Sequence, residues 1–174
     1  MQDGGWKRVW GPPPRPGARP DLNEVVRELL VGEYPTPSDA HWLREIHGVT
    51  AVVSLQDDGD LLSKGLRERD LDAAYRRHGM SFDRVPITDC DAAMLAARLD
   101  TAVALLAKRA ADGHCIYLHC IAGMNRAPTV AIAYLHVHHR LSLADAGAWM
   151  KQRRMCVPYM SVLQARYGTA GSDP

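Results

Sequence analysis

The chain predicts an α/β fold in which a central, mostly parallel sheet of about five strands is flanked by helices. Three observations carry that prediction. Short runs rich in β-branched residues alternate with longer Ala/Leu-rich runs, the order that builds a parallel sheet with helical crossovers. Gly and Asp punctuate the joints, as at Gly48, Gly79 and Asp112-Gly113. A length of 174 residues with a formal net charge of +1 suits one domain around a single buried core.

The elements follow in order. Residues 1–20 read as a Pro/Arg-rich mobile arm, because Pro12, Pro13, Pro14, Pro16 and Pro20 forbid helix and favour extended structure. Residues 21–168 form the folded domain and residues 169–174 a short tail. Residues 25–32 carry short β-like runs ended by Pro35 and Pro37. Ser38 is placed to cap a short helix over 39–47, closed by Gly48. Residues 49–55 are a buried β-rich run, 56–63 a polar acidic loop, and 66–78 a helix ending at Gly79. Polar and apolar residues alternate over 80–87, which reads as a strand, and 88–91 is a loop. A long helix is expected over 92–111, a strand over 114–119 and a helix over 127–138. Ser142, with Asp145 three residues on, caps a helix to Arg154, and Pro158 opens a last one to Tyr167.

Several function classes fall away on composition. With charges nearly balanced, no general nucleic-acid or membrane surface is expected, and no run of eighteen or more apolar residues predicts a span. The N-terminal stretch has Pro, Gly and Arg where a signal peptide needs an apolar segment. Cys90, Cys115, Cys120 and Cys156 match neither a zinc pattern nor a dense disulfide framework. A reducing cytoplasm is the expected setting. His136 and His139 share a helix face, where cations near a helix C-terminus are the ordinary reading and a metal the lesser one.

The stretch His119-Cys120-Ile121-Ala122-Gly123-Met124-Asn125-Arg126 carries the chemistry. A pattern of His-Cys, Gly three residues on and Arg three further arises by chance at roughly one position in a million. Here it also sits between an apolar strand and a helix. Backbone N–H groups of residues 121–126 are expected to wrap inward, ending at a helix N-terminus, so that Ile121, Ala122, Gly123, Met124, Asn125 and Arg126 bind phosphate. Gly123 permits a positive-φ turn, and Asn125 is among the few other residues that tolerate one. Arg126 binds two phosphate oxygens as a fork. The same positive field favours a thiolate on Cys120, the nucleophile for phosphoryl transfer through a cysteinyl-phosphate. His119 holds the loop and supports the thiolate by hydrogen bonding rather than acting as the base. The leaving oxygen needs a proton, and Asp89 is the expected acid, with Asp91 as helix cap or support. Asp57, Asp58 and Asp60 read as a solvated loop touching the motif at most. Lys151, Arg153 and Arg154 either line the cleft or form a solvated helix end. The chemistry calls for no metal or cofactor.

These residues resemble the dual-specificity branch of the cysteine-dependent tyrosine phosphatases. The matching pieces are Leu30-Val31-Gly32 with Pro35, residues 48–52, the Asp89 loop, residues 119–126 and the two helices that follow. Leu55-Gln56 with Asp60-Leu61, and Ile87-Thr88-Asp89-Cys90-Asp91, are most similar to plant glucan phosphatases. The resemblance implies a dual-specificity phosphatase fold, Cys120 as nucleophile, Arg126 as phosphate ligand and Asp89 as acid and then base. It also implies a phosphorylated protein as substrate, or alternatively a phosphorylated glycan, inositol or RNA 5′ end. A different class, an inactive phosphate-binding adaptor, uses the same loop. The chain departs from the glucan group at Ile121 and Asn125, and has Cys90 and Val157 where those enzymes place cleft aromatics. Ala127 stands where the wider family often has Ser or Thr, as it does in the glucan group.

Overall fold

The computed structural model describes residues 18–168. Of the expected arm, only Ala18, Arg19 and Pro20 lie among them; the rest of the arm, and the tail, lie outside the described residues. Arg19 pairs with Asp39 at 3.0 Å and sits over the Trp42 ring.

Five strands form one mixed sheet in the order β1-β2-β5-β3-β4. They are β1 (Leu22–Val26), β2 (Leu29–Gly32), β3 (Ala51–Ser54), β4 (Ser81–Arg84) and β5 (Ile116–His119). The first two pair antiparallel as a hairpin, while β2, β5, β3 and β4 run parallel. The central strands are buried on both faces, which is why they read as unbroken apolar runs. Val31, Val53 and Leu118 point into one core layer, and Leu30, Val52 and Tyr117, one residue displaced, into the other.

On the second layer lie α1 (Ala40–His47) and α3 (Glu68–Arg77), which bury Leu43, Leu71 and Tyr75. The larger layer holds α4 (Ala92–Ala111), α5 (Arg126–His138), α6 (Leu143–Arg153) and α7 (Met160–Tyr167). α5 is the central one, buried from Arg126 through Leu135. Local signals set several boundaries where the sequence predicts them. Gly48 closes α1 at φ +66, Asp91 caps α4, and Ser142 accepts the Asp145 N–H to start α6.

Two local readings are corrected. Residues 56–63 are not all loop: α2 (Asp58–Ser63) forms there, because Asp57 and Asp60 make a reciprocal capping box. Ser38 does not cap α1: Thr36 and Asp39 close a 3-10 turn over Pro37–Asp39 that contains Ser38, and Asp39 is the residue at the N-cap of α1. The histidine cluster at the C-terminal end of α5 is tied to other groups: His136 Nδ1 lies 2.7 Å from the Leu141 carbonyl and His139 Nε2 2.7 Å from Glu28.

Candidate active site

Gly32, His119 and Ser54 stand side by side at the carboxyl ends of β2, β5 and β3. That edge of a parallel sheet is where open α/β folds place ligands. The chain leaves β5 there, makes a six-residue loop over 120–125, and starts α5 at Arg126. Leu55 N–H donates to the His119 carbonyl and Tyr34 N–H to the Ile121 carbonyl, each at 2.9 Å, so both flanking connections grip the loop.

Within the loop Gly123 has φ +62, as expected. A Cβ there would lie 2.5 Å from the Gly32 carbonyl carbon and oxygen and 2.8 Å from Arg154 Nη2. Backbone therefore rests on backbone, and only glycine fits. Asn125 is different from expectation. Its φ is −119°, and its side chain instead donates from Nδ2 to the Val157 carbonyl at 2.7 Å. Its own carbonyl accepts from the Thr129 hydroxyl at 2.7 Å, which in turn accepts from Tyr159 N–H at 2.9 Å. Val157 N–H donates to the Met124 carbonyl at 2.8 Å, so residues 157–159 strap the loop from outside.

Of the two readings of Arg154, the structure bears out the first: it lines the cleft and is buried, not a solvated helix end. Its Nε donates to the Gly123 carbonyl at 2.7 Å and its Nη2 to the Ala122 carbonyl at 3.0 Å. Nη1 reaches Asp21 at 3.1 Å and Asn23 at 2.8 Å on the opposite side. One guanidinium thus turns two loop carbonyls outward, which leaves the N–H side of those peptides for the interior of the loop.

Cys120 lies at the floor, 3% exposed. His119 is buried beneath it, and burial pushes its pKa down to about 4, so the ring is neutral near neutral pH. Nδ1 lies 3.1 Å from the Cys120 carbonyl, which can only accept, so Nδ1 carries the proton. The hydrogen bond holds the loop backbone, as expected, but it ends on the carbonyl of Cys120 and not on its sulfur. The other ring nitrogen is buried without a partner among the described residues.

Arg126 closes the site, 2% exposed. Burial alone would lower its pKa; the charges of Cys120, Asp60 and Asp89 outweigh that and raise it. Nη1 donates to the Asp60 carboxylate and to the Ile87 carbonyl, both at 2.6 Å. Nε is buried and has no hydrogen bond among the described residues. Asp89 Oδ1 lies 3.3 Å from it, close enough to pair in charge yet off the N–H direction. A buried guanidinium locked at one nitrogen and unfilled at another is built to receive an oxyanion. Asp91 is the N-cap of α4, its carboxylate accepting the Met94 N–H at 2.8 Å. Cys90, between the two aspartates, has φ +60, and this turn separates their side chains.

Asp60 is the residue the sequence reading passed over. Asp57, read with it as solvated, is likewise drawn in: burial would raise its pKa, but hydrogen bonds from Asp60 and Thr88 and the charge of Arg126 lower it. The available signal was the Asp-x-x-Asp spacing of a capping box, which would have placed Asp60 on a helix but not against Arg126. Replacing Asp60 with Asn should leave Arg126 less firmly aimed and lower kcat/KM by about 10- to 100-fold. Steady-state kinetics on any turned-over phosphoester measures this, and an unchanged kcat/KM would refute a positioning role.

The cleft above the loop has a volume of about 640 Å³ and is lined by Cys120, Ile121, Ala122, Met124, Asn125 and Arg126, with Asp89 at its mouth. The Cys120 sulfur, the loop residues and the Asp89 carboxyl group line one space large enough for a phosphate ester. Of the ten residues singled out from the sequence, nine lie in or beneath this site, and the tenth, Asp91, stands behind it as a helix cap.

Comparison with known proteins agrees. Residues 31–164 match the family model described as dual specificity phosphatase, catalytic domain. The phosphoglucan phosphatase DSP4, amyloplastic, of Castanea sativa is 32% identical over 152 residues, which are 83% of this chain and 39% of that protein. The dual specificity protein phosphatase 16 of Homo sapiens is 36% identical over 73 residues, 42% of this chain and 11% of the relative. The chain thus spans well under half the length of these relatives. The crystal structure of human DUSP28 superposes with a TM-score of 0.61 at 26% identity, covering 88% of this chain and 93% of that one.

Proposed function

The chain belongs to the dual-specificity phosphatase family, and on that premise we propose that it hydrolyses phosphate monoesters of phosphotyrosine, phosphoserine and phosphothreonine proteins through a cysteinyl-phosphate. In this reading the Cys120 sulfur attacks phosphorus from the loop floor. The S–P bond forms as the ester P–O bond breaks, and the Asp89 carboxyl gives its proton to the leaving oxygen. Loop amides and Arg126 hold the three equatorial oxygens as charge redistributes. A water molecule then attacks phosphorus, the Asp89 carboxylate takes its proton, and the S–P bond breaks to return the thiolate and inorganic phosphate. No step calls for a metal or cofactor.

The observation that carries the proposal is the convergence of Cys120, the unfilled Nε of Arg126 and Asp89 on one cleft. A second reading, a phosphorylated glucan as substrate, draws on the 32% identity to the chestnut enzyme. The cytoplasm remains the proposed setting, consistent with four free thiols among the described residues. Phosphate release from phosphopeptides, phosphoglucan and inositol phosphates, measured side by side in chelator, tests the proposal. Peptide turnover should lead. Faster release from the glucan would replace the first reading by the second.

A further inference from the structure

The residues after α6 alternate in direction. Arg154, in extended backbone, points inward to the loop and Cys156 inward to the core, while Met155 and Val157 point outward. Met155 is 85% exposed and Val157 63%, and both line the cleft above Cys120. The segment is not loosely held. Arg154 anchors one end through four hydrogen bonds, and Val157 exchanges two with Met124 and Asn125 at the other. Two apolar side chains are therefore fixed in water beside the phosphate loop, continuous with Met124 and Ile121.

The charges around the cleft point the same way. Asp21, Glu33 and Asp89 line it against Arg126 and Arg154. All three guanidinium nitrogens of Arg154 already donate to protein acceptors. A second phosphate on the substrate would meet carboxylates and, among the described residues lining the cleft, no uncommitted cation beyond Arg126. A sugar chain finds no aromatic ring among those lining residues on which to stack.

Resting on the phosphatase reading above, we propose that Met155 and Val157 are the specificity wall of this cleft, packing against the ring of a phosphotyrosine residue. The phosphate sits over Cys120 and the ring lies along the two side chains, with the Met155 sulfur available to its edge. A phosphoserine, with one methylene where the tyrosine has a ring, leaves the wall in water. Carriers with several phosphates, or with a polar sugar surface, gain nothing from it.

The test compares kcat/KM on two peptides identical except for phosphotyrosine or phosphoserine, with inositol hexakisphosphate as a third substrate. The wild type should favour phosphotyrosine by at least about tenfold, the scale on which apolar contacts discriminate. The double variant Met155→Ser, Val157→Ser should shrink that ratio about tenfold, chiefly through KM, with a thermal melt confirming the fold. Met155→Arg should raise turnover of the inositol phosphate relative to the peptides. A ratio unmoved by the double variant, or a wild type that prefers phosphoserine or the inositol phosphate, overturns the wall while leaving a phosphatase. Absence of turnover on every substrate, including a small aryl phosphate, overturns the phosphatase reading instead.

Discussion

Cys120→Ser should abolish phosphate release, lowering kcat on the order of 10⁴-fold or more. A serine hydroxyl at this position needs a base, and the site offers none on the floor. The adjacent ring of His119 is held through Nδ1 by the Cys120 carbonyl, and burial lowers its pKa to about 4, too weak a base to activate a hydroxyl. The loop does not depend on the sulfur for its shape. Gly123 against Gly32, Arg154 on two carbonyls and the strap at Val157 all survive the substitution. The variant should therefore still bind substrate, and a catalytically dead protein that retains phosphopeptide in an equilibrium binding assay is the expected result. Rapid quenching of the wild type in acid should recover phosphate on Cys120, which the variant cannot form. Substantial activity in Cys120→Ser would remove the nucleophile from the mechanism.

Where the information was local, it could be read from the chain. The cap at Asp91 and the Asp112-Gly113 stop bracket α4, so its bounds, Ala92–Ala111, follow from the sequence. The loop at Cys120 was legible for the same reason: strand, turn glycine and helix start lie within a dozen residues. The residues that aim it were not. Asp60 reaches Arg126 across 66 positions of sequence, and Arg154 reaches Gly123 across 31 and Asp21 across 133. Taken locally, an aspartate in an acidic stretch reads as solvated, and an arginine closing a helix reads equally as a solvated end or a cleft residue. Burial overturns the solvated reading by making each the partner of a group that cannot be left unpaired. The misreading of Asn125 has a related cause. The residue tolerates positive φ, but the carbonyl of Val157 on another element gives its amide a better use. Val157 was placed at the cleft only by the resemblance, and Met155 carries no signature until the fold sets it over the loop.

Asp89→Asn should reduce kcat about 10²- to 10⁴-fold on alkyl phosphates, the range attributed to general acid–base catalysis. Geometry separates it from its neighbour. Asp91 is occupied at the Met94 N–H, so Asp91→Ala should cost about 1 kcal/mol of stability as a lost helix cap and leave turnover within a few-fold of wild type. Asp89 makes no such commitment: its contact is with Arg126 Nε at 3.3 Å, misaligned for a hydrogen bond. A phosphate oxygen arriving at that Nε takes over the charge pairing and leaves the carboxyl at the cleft mouth, next to the leaving oxygen. Two further readouts follow from a proton-donor role. The fall in kcat/KM as pH rises, caused by loss of the acid's proton, should vanish in Asp89→Asn. The defect should also shrink on an aryl phosphate whose leaving group needs no proton. If the pH profile keeps its basic limb, or if Asp91→Ala proves the more damaging change, the acid lies elsewhere on this loop. The turn at Cys90, with φ +60, would then have to open to bring Asp91 into the cleft.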